Sequence, residues 1–295
     1  MRWIGDRESE NIEDRRGVGG GLPVGIGGIG AIVVVLVGLF LGVDPSTLLV
    51  LLSGDGTQQQ TDTRRPDDSG YGASRVPEAG RADPIRQFVS VVLADTEDVW
   101  SQIFNSMGRT YDDPKLVLYT DRVGSACGLA SAASGPFYCP EDHKAYLDLS
   151  FFQEMKERFN APGEFAEAYV IAHEIGHHVQ NELGILGRAR AERARSDEHR
   201  SNAISVQVEL QADCYAGVWA YHADRTKHII EQGDVEAALN AASAVGDDRL
   251  QRQAQRAVVP DAFTHGSSAQ RVRWFKRGLE GGSLKQCDTF SPDSL

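Results

Sequence analysis

The sequence predicts an α+β protein that is mainly helical, contains a small antiparallel sheet and is preceded by one transmembrane helix. Several segments after residue 84 repeat apolar residues with the period of an amphipathic helix, and short strand-like runs occur between residues 115 and 152. Residues 17–43 contain no charged side chain and are rich in glycine, valine and leucine. That stretch is long enough to cross a bilayer core of about 30 Å.

Composition sets broad limits on function. The chain has 295 residues, of which 41% are apolar and 24% charged, an ordinary balance for a protein with one or two folded domains. Its net charge is −12. An acidic protein lacks the general positive potential that nucleic-acid binding requires, so we expect no nucleic-acid partner.

The uncharged stretch at residues 17–43 is the predicted membrane anchor. Arg15 and Arg16 directly precede it, whereas the next basic residues are Arg64 and Arg65, so the charge bias favours a cytoplasmic N-terminus. No small-residue cleavage site follows, which favours an uncleaved anchor in contact with membrane lipid. Its glycines also permit close packing against a partner helix. A buried glycine-rich core helix is the alternative.

Four parts follow along the chain. They are a cytoplasmic segment at residues 1–16, a transmembrane anchor at 17–43, a flexible linker at 44–83 and a folded domain at 84–295. The linker is predicted from its glycine, glutamine, threonine, aspartate and proline content and its lack of large apolar residues. We therefore expect a single-pass protein of the cytoplasmic membrane with an extracytoplasmic or periplasmic domain.

The four cysteines are consistent with an exported domain. Cys127, Cys139, Cys214 and Cys287 all follow the predicted anchor and allow three disulfide connectivities. We favour a local Cys127–Cys139 bridge and a long-range Cys214–Cys287 bridge. Four free thiols are the alternative if the topology is inverted. A cysteine zinc site is disfavoured because no C-x₂-C pair occurs.

The first part of the domain combines helical and extended segments. Apolar residues over 85–104 have helical spacing and predict one long helix or two. Residues 115–120 predict a short strand. Residues 137–152 predict extended structure around a turn at 140–143.

The second part of the domain is predicted to be a series of helices. One is predicted from near Pro162, a favourable first-turn residue, to near Gly184, a favourable residue after a helix end. A second covers 206–221, and a third is capped by Asp234 and runs towards residue 246. Residues 267–270 resemble a capping box that opens a final helix.

The predicted helix before Gly184 contains the sequence H-E-x-x-H. His173 and His177 are spaced i and i+4, so their imidazoles lie on one helical face and can bind the same Zn²⁺ ion. Glu174 is then placed as a general base. A helix whose histidines merely pair with neighbouring side chains is the alternative.

The next predicted helix supplies the missing ligand. A catalytic zinc ion has three protein ligands and one open position. Glu209 is the predicted third ligand, and Asp213, four residues later, is predicted to accept a hydrogen bond from a ligand histidine. Asp213 as the third ligand is the alternative. Two motifs in this order resemble the gluzincin class of zinc enzymes.

A donor that stabilises the transition state completes the predicted site. His265 is the candidate, with Tyr169 and Tyr215 behind it, although a loop residue beside a helix, without a catalytic role, is the favoured interpretation of His265. His178 points about 100° away from His177 around the helix and is predicted to be a supporting or core residue.

Further stretches resemble the neutral zinc metallopeptidase family of bacterial membrane-anchored proteins. Besides the motif helix, the resemblance rests on MRWIGDRESENIEDRRG, FYCPEDHKAYLDLSFF, ELQADCYAGVWA, GDVEAALNAASAVGDDRLQ and PDAFTHGSSAQRVRWFKRGLEGG. It implies a zincin-like domain with one Zn²⁺ per chain, bound by His173, His177 and Glu209, and a peptide or protein substrate. The alternatives are a zinc amidase acting on cell-wall peptides and a non-catalytic zinc-bound membrane scaffold.

Overall fold

Helices form most of the folded unit. A computed structural model of the protein describes residues 1–17, 83–131, 135–254 and 257–291. The helices are α1 Pro84–Ser106, α2 Ser150–Glu157, α3 Glu164–Glu182, α4 Ile185–Arg193, α5 Glu198–Lys227, α6 Asp234–Ala244, α7 Asp247–Gln253 and α8 Ser268–Gly281. Short 3₁₀ turns occur at Pro260–Ala262 and Leu284–Cys287. The prediction of a mainly helical α+β fold is confirmed.

The sheet is small, but its predicted antiparallel arrangement is wrong. The strands are β1 Ile12–Asp14, β2 Lys115–Tyr119, β3 Arg122–Ser125, β4 Gly128–Ser131, β5 Phe137–Cys139 and β6 Lys144–Asp148. Four of them form a sheet in the order β1-β2-β6-β5, in which β1, β2 and β6 are mutually parallel and only β5 is antiparallel. Strands β3 and β4 form a separate antiparallel hairpin. The connection from β2 through this hairpin and β5 returns the chain beside β2 in the same direction.

The N-terminal residues belong to the folded unit. Residues 1–16 were predicted to be a cytoplasmic segment separate from the domain, whereas the structure includes them in the same compact unit. Strand β1 pairs with β2, with Ile12 opposite Leu116 and Asp14 opposite Leu118. A short, mainly polar segment gives no signal for this pairing because the partner strand lies about a hundred residues further along the chain.

The predicted anchor at 17–43 and the linker at 44–83 lie outside the described residues, apart from Gly17 and Asp83. Within the described ranges, no helix is both long and apolar enough to cross a membrane. Asp83 caps α1, because its side chain accepts hydrogen bonds from the backbone N–H groups of Ile85 and Arg86.

Helix α5 organises the domain because α1, α3, α4 and α8 all pack against it. It is longer than the predicted helix at 206–221, since Asp197 caps an earlier start by accepting a hydrogen bond from the Arg200 N–H. Gly217 of α5 and Gly278 of α8 allow these two helices to approach until a Cβ atom at either position would overlap the partner backbone.

Two disulfides join the cysteine pairs that the sequence analysis favoured. Cys214 in α5 is bonded to Cys287, which follows α8 and is fully buried. Cys127 at the β3–β4 hairpin is bonded to Cys139 of β5. The first disulfide holds the end of the described chain on α5, and the second attaches the hairpin to the sheet.

We expect Gly278→Ala to reduce the free energy of unfolding by about 1–3 kcal/mol, the usual cost of overpacking, because the new methyl group meets the backbone of α5 around Cys214. Gly187→Ala in α4 is the control, since nothing lies within 4 Å of its added Cβ and alanine is the better helix former. Denaturant unfolding of the full-length protein measures both. Equal stability of the two variants would refute the close packing of α5 and α8.

Candidate metal centre

Three potential metal ligands converge where α3 packs against α5. His173 and His177 lie on adjacent turns of α3, and Glu209 faces them from α5. His173 Nε2 is 3.2 Å from Glu209 Oε2, and His177 Nε2 is 3.4 Å from Glu209 Oε1. Ligands at about 2.0–2.1 Å from a zinc ion in a tetrahedron are about 3.3 Å apart. The spacing of the three residues therefore fits the donor set predicted from the sequence.

The outer nitrogens of both histidines are already engaged. His173 Nδ1 lies 2.9 Å from Asp213 Oδ1, and because a carboxylate only accepts, this nitrogen carries the proton. His177 Nδ1 lies 2.9 Å from Gln180 Oε1, whose amide nitrogen donates to the Val208 carbonyl. Both Nε2 atoms are consequently directed at the shared centre, an arrangement typical of metal-binding histidines.

Gly176, the last residue before His177, explains how α5 comes so close. A Cβ atom at this position would lie 2.9 Å from the carbonyl oxygen of Ala212, closer than real Cβ contacts. Glycine therefore permits the two helix backbones to meet beside the motif. This approach brings Glu209 within reach of both histidines.

Below the three residues lies a buried network centred on Asp213, which is fully buried. Arg271 of α8 donates to both of its oxygens, from Nε and Nη2, at 2.8 Å each. The Tyr169 hydroxyl donates to Oδ1 at 2.5 Å, beside the bond from His173. Although burial alone would raise the pKa of Asp213, Arg271 and His173 hold it below its usual value. Asp213 therefore supports His173 as predicted and does not face the shared centre.

The charges at the centre are strongly coupled. Burial alone would lower the pKa of His173, but Asp213 and Glu209 raise it to about 10. Burial alone would raise the pKa of Glu209, but the two histidines bring it well below its ordinary value. Because the ligand nitrogen must be deprotonated, a divalent cation bound here would replace a proton on His173 Nε2 and leave the Nδ1 proton on its hydrogen bond to Asp213.

Glu174 lies beside the ligand set and faces a cavity of about 630 Å³. Its side chain is buried, and burial raises its pKa, with partial opposition from His173 and His177. A raised pKa brings a carboxyl group closer to the range useful for proton transfer at neutral pH. The cavity also contains Tyr138 of the edge strand β5 and an aromatic wall that includes Phe151 and Phe159.

His265 enters the same cavity from the loop before α8. Asp247 orients this loop, because its Oδ2 accepts the backbone N–H groups of Thr264, His265 and Gly266 at 2.7, 2.6 and 3.1 Å. Its Oδ1 lies 3.2 Å from His265 Nδ1. This bond, together with the nearby negative charge of Glu209, raises the pKa of His265.

Comparison with known proteins gives a consistent result. The sequence profile of the family described as "Putative neutral zinc metallopeptidase" matches residues 1–290. The chain belongs to this family. It is 48% identical over 299 residues to the uncharacterized protein YpfJ of Escherichia coli strain K12, which covers 98% of this chain and 99% of that protein. It is 42% identical over 268 residues to the uncharacterized protein Rv2575 of Mycobacterium tuberculosis strain H37Rv, covering 87% and 86%. No solved structure is significantly similar to the chain.

A second potential metal-binding group occurs in this family member, formed by His143, His178 and Glu182. Both ring nitrogens of His178 are occupied, since Nε2 donates to the Asp112 carbonyl at 2.7 Å and Nδ1 lies 3.0 Å from the Tyr138 hydroxyl. Burial lowers the pKa of His178 to about 4, so it is neutral. His178 thus supports Tyr138 and the strand β5, in line with its predicted supporting role.

One tyrosine considered from the sequence lies away from the cavity, and two polar residues of the site were not predicted. Tyr215 packs edge-on against Trp100, with ring centroids 5.7 Å apart, and does not line the cavity. Arg271 and Asp247 were not predicted as site residues. The capping box at 267–270 placed Arg271 inside a helix but gave no indication that its side chain is buried, and no motif marks Asp247.

We expect Asp247→Asn to reduce the free energy of unfolding by about 2 kcal/mol, because it removes a charged acceptor from the loop that carries His265. Because folding lowers the pKa of Asp247, this carboxylate contributes fully to the free energy of unfolding above about pH 4. Because folding raises the pKa of His265, this imidazole contributes fully below about pH 6.5. The loss should therefore be largest between these values. Denaturant unfolding at several pH values measures it. Asp261→Asn, at an exposed side chain, is the control, and identical curves for both variants would contradict the role of Asp247.

Proposed function

We propose that the protein is a zinc-dependent peptidase whose ion is held by His173, His177 and Glu209. The observation that carries the proposal is the spacing of their three ligand atoms beside a buried Glu174 that faces a cavity. A bound zinc ion would supply a Lewis acid that polarises a carbonyl group and lowers the pKa of water to about 7. A binding scaffold without catalysis has no use for a buried carboxyl group in this position.

Two side chains of the cavity are assigned to proton transfer and charge stabilisation. Glu174 accepts the proton of the attacking water and delivers it to the leaving amine. His265, held by Asp247, donates to the oxygen that becomes negative as the carbonyl is attacked. Asp213 and Arg271 keep the His173 ring oriented.

The edge strand and the aromatic side chains beside the cavity support an extended peptide as substrate. Strand β5 is an edge strand of the four-stranded sheet and borders the cavity through Phe137 and Tyr138. Extended peptides commonly bind by adding to such an edge. The neighbouring aromatic wall of Phe151 and Phe159 favours a bulky apolar side chain next to the cleaved bond.

We also propose that residues 17–43 attach the protein to the cytoplasmic membrane and that the domain is extracytoplasmic. The uncharged length of that stretch supports the first point. The two disulfides support the second, since such bonds persist mainly in oxidising compartments.

Glu174→Gln should reduce kcat by about 10²- to 10⁴-fold, the typical contribution of a general base, without changing zinc content. Activity of the purified full-length protein is measured on casein and on cell-wall peptides, with bound zinc determined in parallel. Glu182→Gln, on the same helix but outside the cavity lining, is the control. Equal hydrolysis by wild type and Glu174→Gln would rule out the proposed mechanism, and cleavage of wall peptides alone would identify an amidase.

Glu209→Ala should weaken zinc binding by more than the roughly 10- to 100-fold that accompanies loss of a residue supporting a ligand, because it removes a ligand itself. Metal titration of the purified full-length protein measures the affinity and the stoichiometry. His143→Ala is the control for the second potential group and should retain one zinc per chain. If His143→Ala instead loses the ion while Glu209→Ala keeps it, the site is the group at His143, His178 and Glu182.

A further inference from the structure

The N-terminal residues are attached to the domain by more than one strand. Beyond the pairing of β1 with β2, Arg7 contacts the carboxylates of Glu97 and Asp98 on α1 at 2.9 and 2.8 Å. The Ser9 hydroxyl donates to Glu97, which is buried. Packing and charge therefore hold residues 1–17 on α1 and the sheet along most of their length.

Residues near position 16 and near position 83 lie next to each other in the folded unit. Arg16 Nη1 lies 2.8 Å from Asp83 Oδ2, and Arg16 also pairs with Asp14 at the end of β1. Asp83 in turn caps α1, as described above. The last residues before position 18 and the first after position 82 are thus joined by a direct ion pair.

Paired strands lie about 4.8 Å apart, whereas the hydrocarbon core of a bilayer is about 30 Å thick. Two strands of one sheet therefore cannot lie on opposite sides of a membrane. We infer that residues 1–17 and residues 83–291 lie on the same side of the membrane, so that the protein is not a single-pass protein with its N-terminus opposite the domain. This inference rests on the membrane attachment proposed above but not on peptidase activity.

The charge bias that predicted the opposite arrangement has another explanation in the structure. Arg15 pairs with Glu13 at 2.6 Å, and Arg16 pairs with Asp14 and Asp83. Both guanidinium groups therefore have partners within the folded unit. Two arginines beside an apolar stretch are indistinguishable in sequence from a topology signal, although here they stabilise the attachment of β1.

Cysteine labelling of the full-length protein in intact cells tests the inference. All four native cysteines are in disulfides, so an introduced thiol is the only one available. Ile4→Cys and Val259→Cys place single thiols at side chains that are 87% and 48% exposed, one in each part of the chain. A membrane-impermeant maleimide is applied before and after permeabilisation. The exposed Glu10→Cys replaces Ile4→Cys if that variant does not accumulate.

We expect both positions to react to the same extent before permeabilisation. Protection of one position and reaction of the other would overturn the inference. If neither thiol reacts until the cells are permeabilised, both parts of the chain lie on the same side, but that side is the cytoplasm. This result would support the inference and contradict the proposed extracytoplasmic location. Because labelling requires neither zinc nor hydrolysis, failure of the proposed peptidase function leaves this result unchanged.

Discussion

The arrangement of the candidate centre depends on one buried carboxylate. Asp213 accepts hydrogen bonds from Arg271, Tyr169 and His173, which belong to α8 and α3, while it is itself part of α5. A buried charge is tolerated only when it is paired, and loss of one partner from such a pair typically costs about 3–5 kcal/mol. The same contacts that make burial of Asp213 possible therefore fix three helices and the orientation of a metal-ligand candidate together.

Local sequence patterns were sufficient for the parts of the site that lie on single helices. The i, i+4 spacings of His173 with His177 and of Glu209 with Asp213 specify shared faces whatever the rest of the fold does. Helix periodicity also predicted α3 and the core of α5. These inferences succeed because they need only the geometry of one helix.

The features that were missed depend on contacts between distant parts of the chain. Strand β1 has only three residues and is recognised only through its partner β2, so no sequence pattern indicated that it joins the sheet. Arg271 resembles any surface arginine of an amphipathic helix until the burial of Asp213 is known. Asp247, at the start of α7, accepts backbone N–H groups of the loop before α8, a contact for which no residue pattern exists.

Strand β1 also has a consequence for the order of folding. Its residues are synthesised before the strand beside which they lie, which is made about a hundred residues later. Contacts of such long sequence separation form slowly because the entropy of loop closure must be overcome first. The sheet therefore cannot be completed until the intervening chain has been made, which predicts that the edge of β2 stays unpaired during early folding.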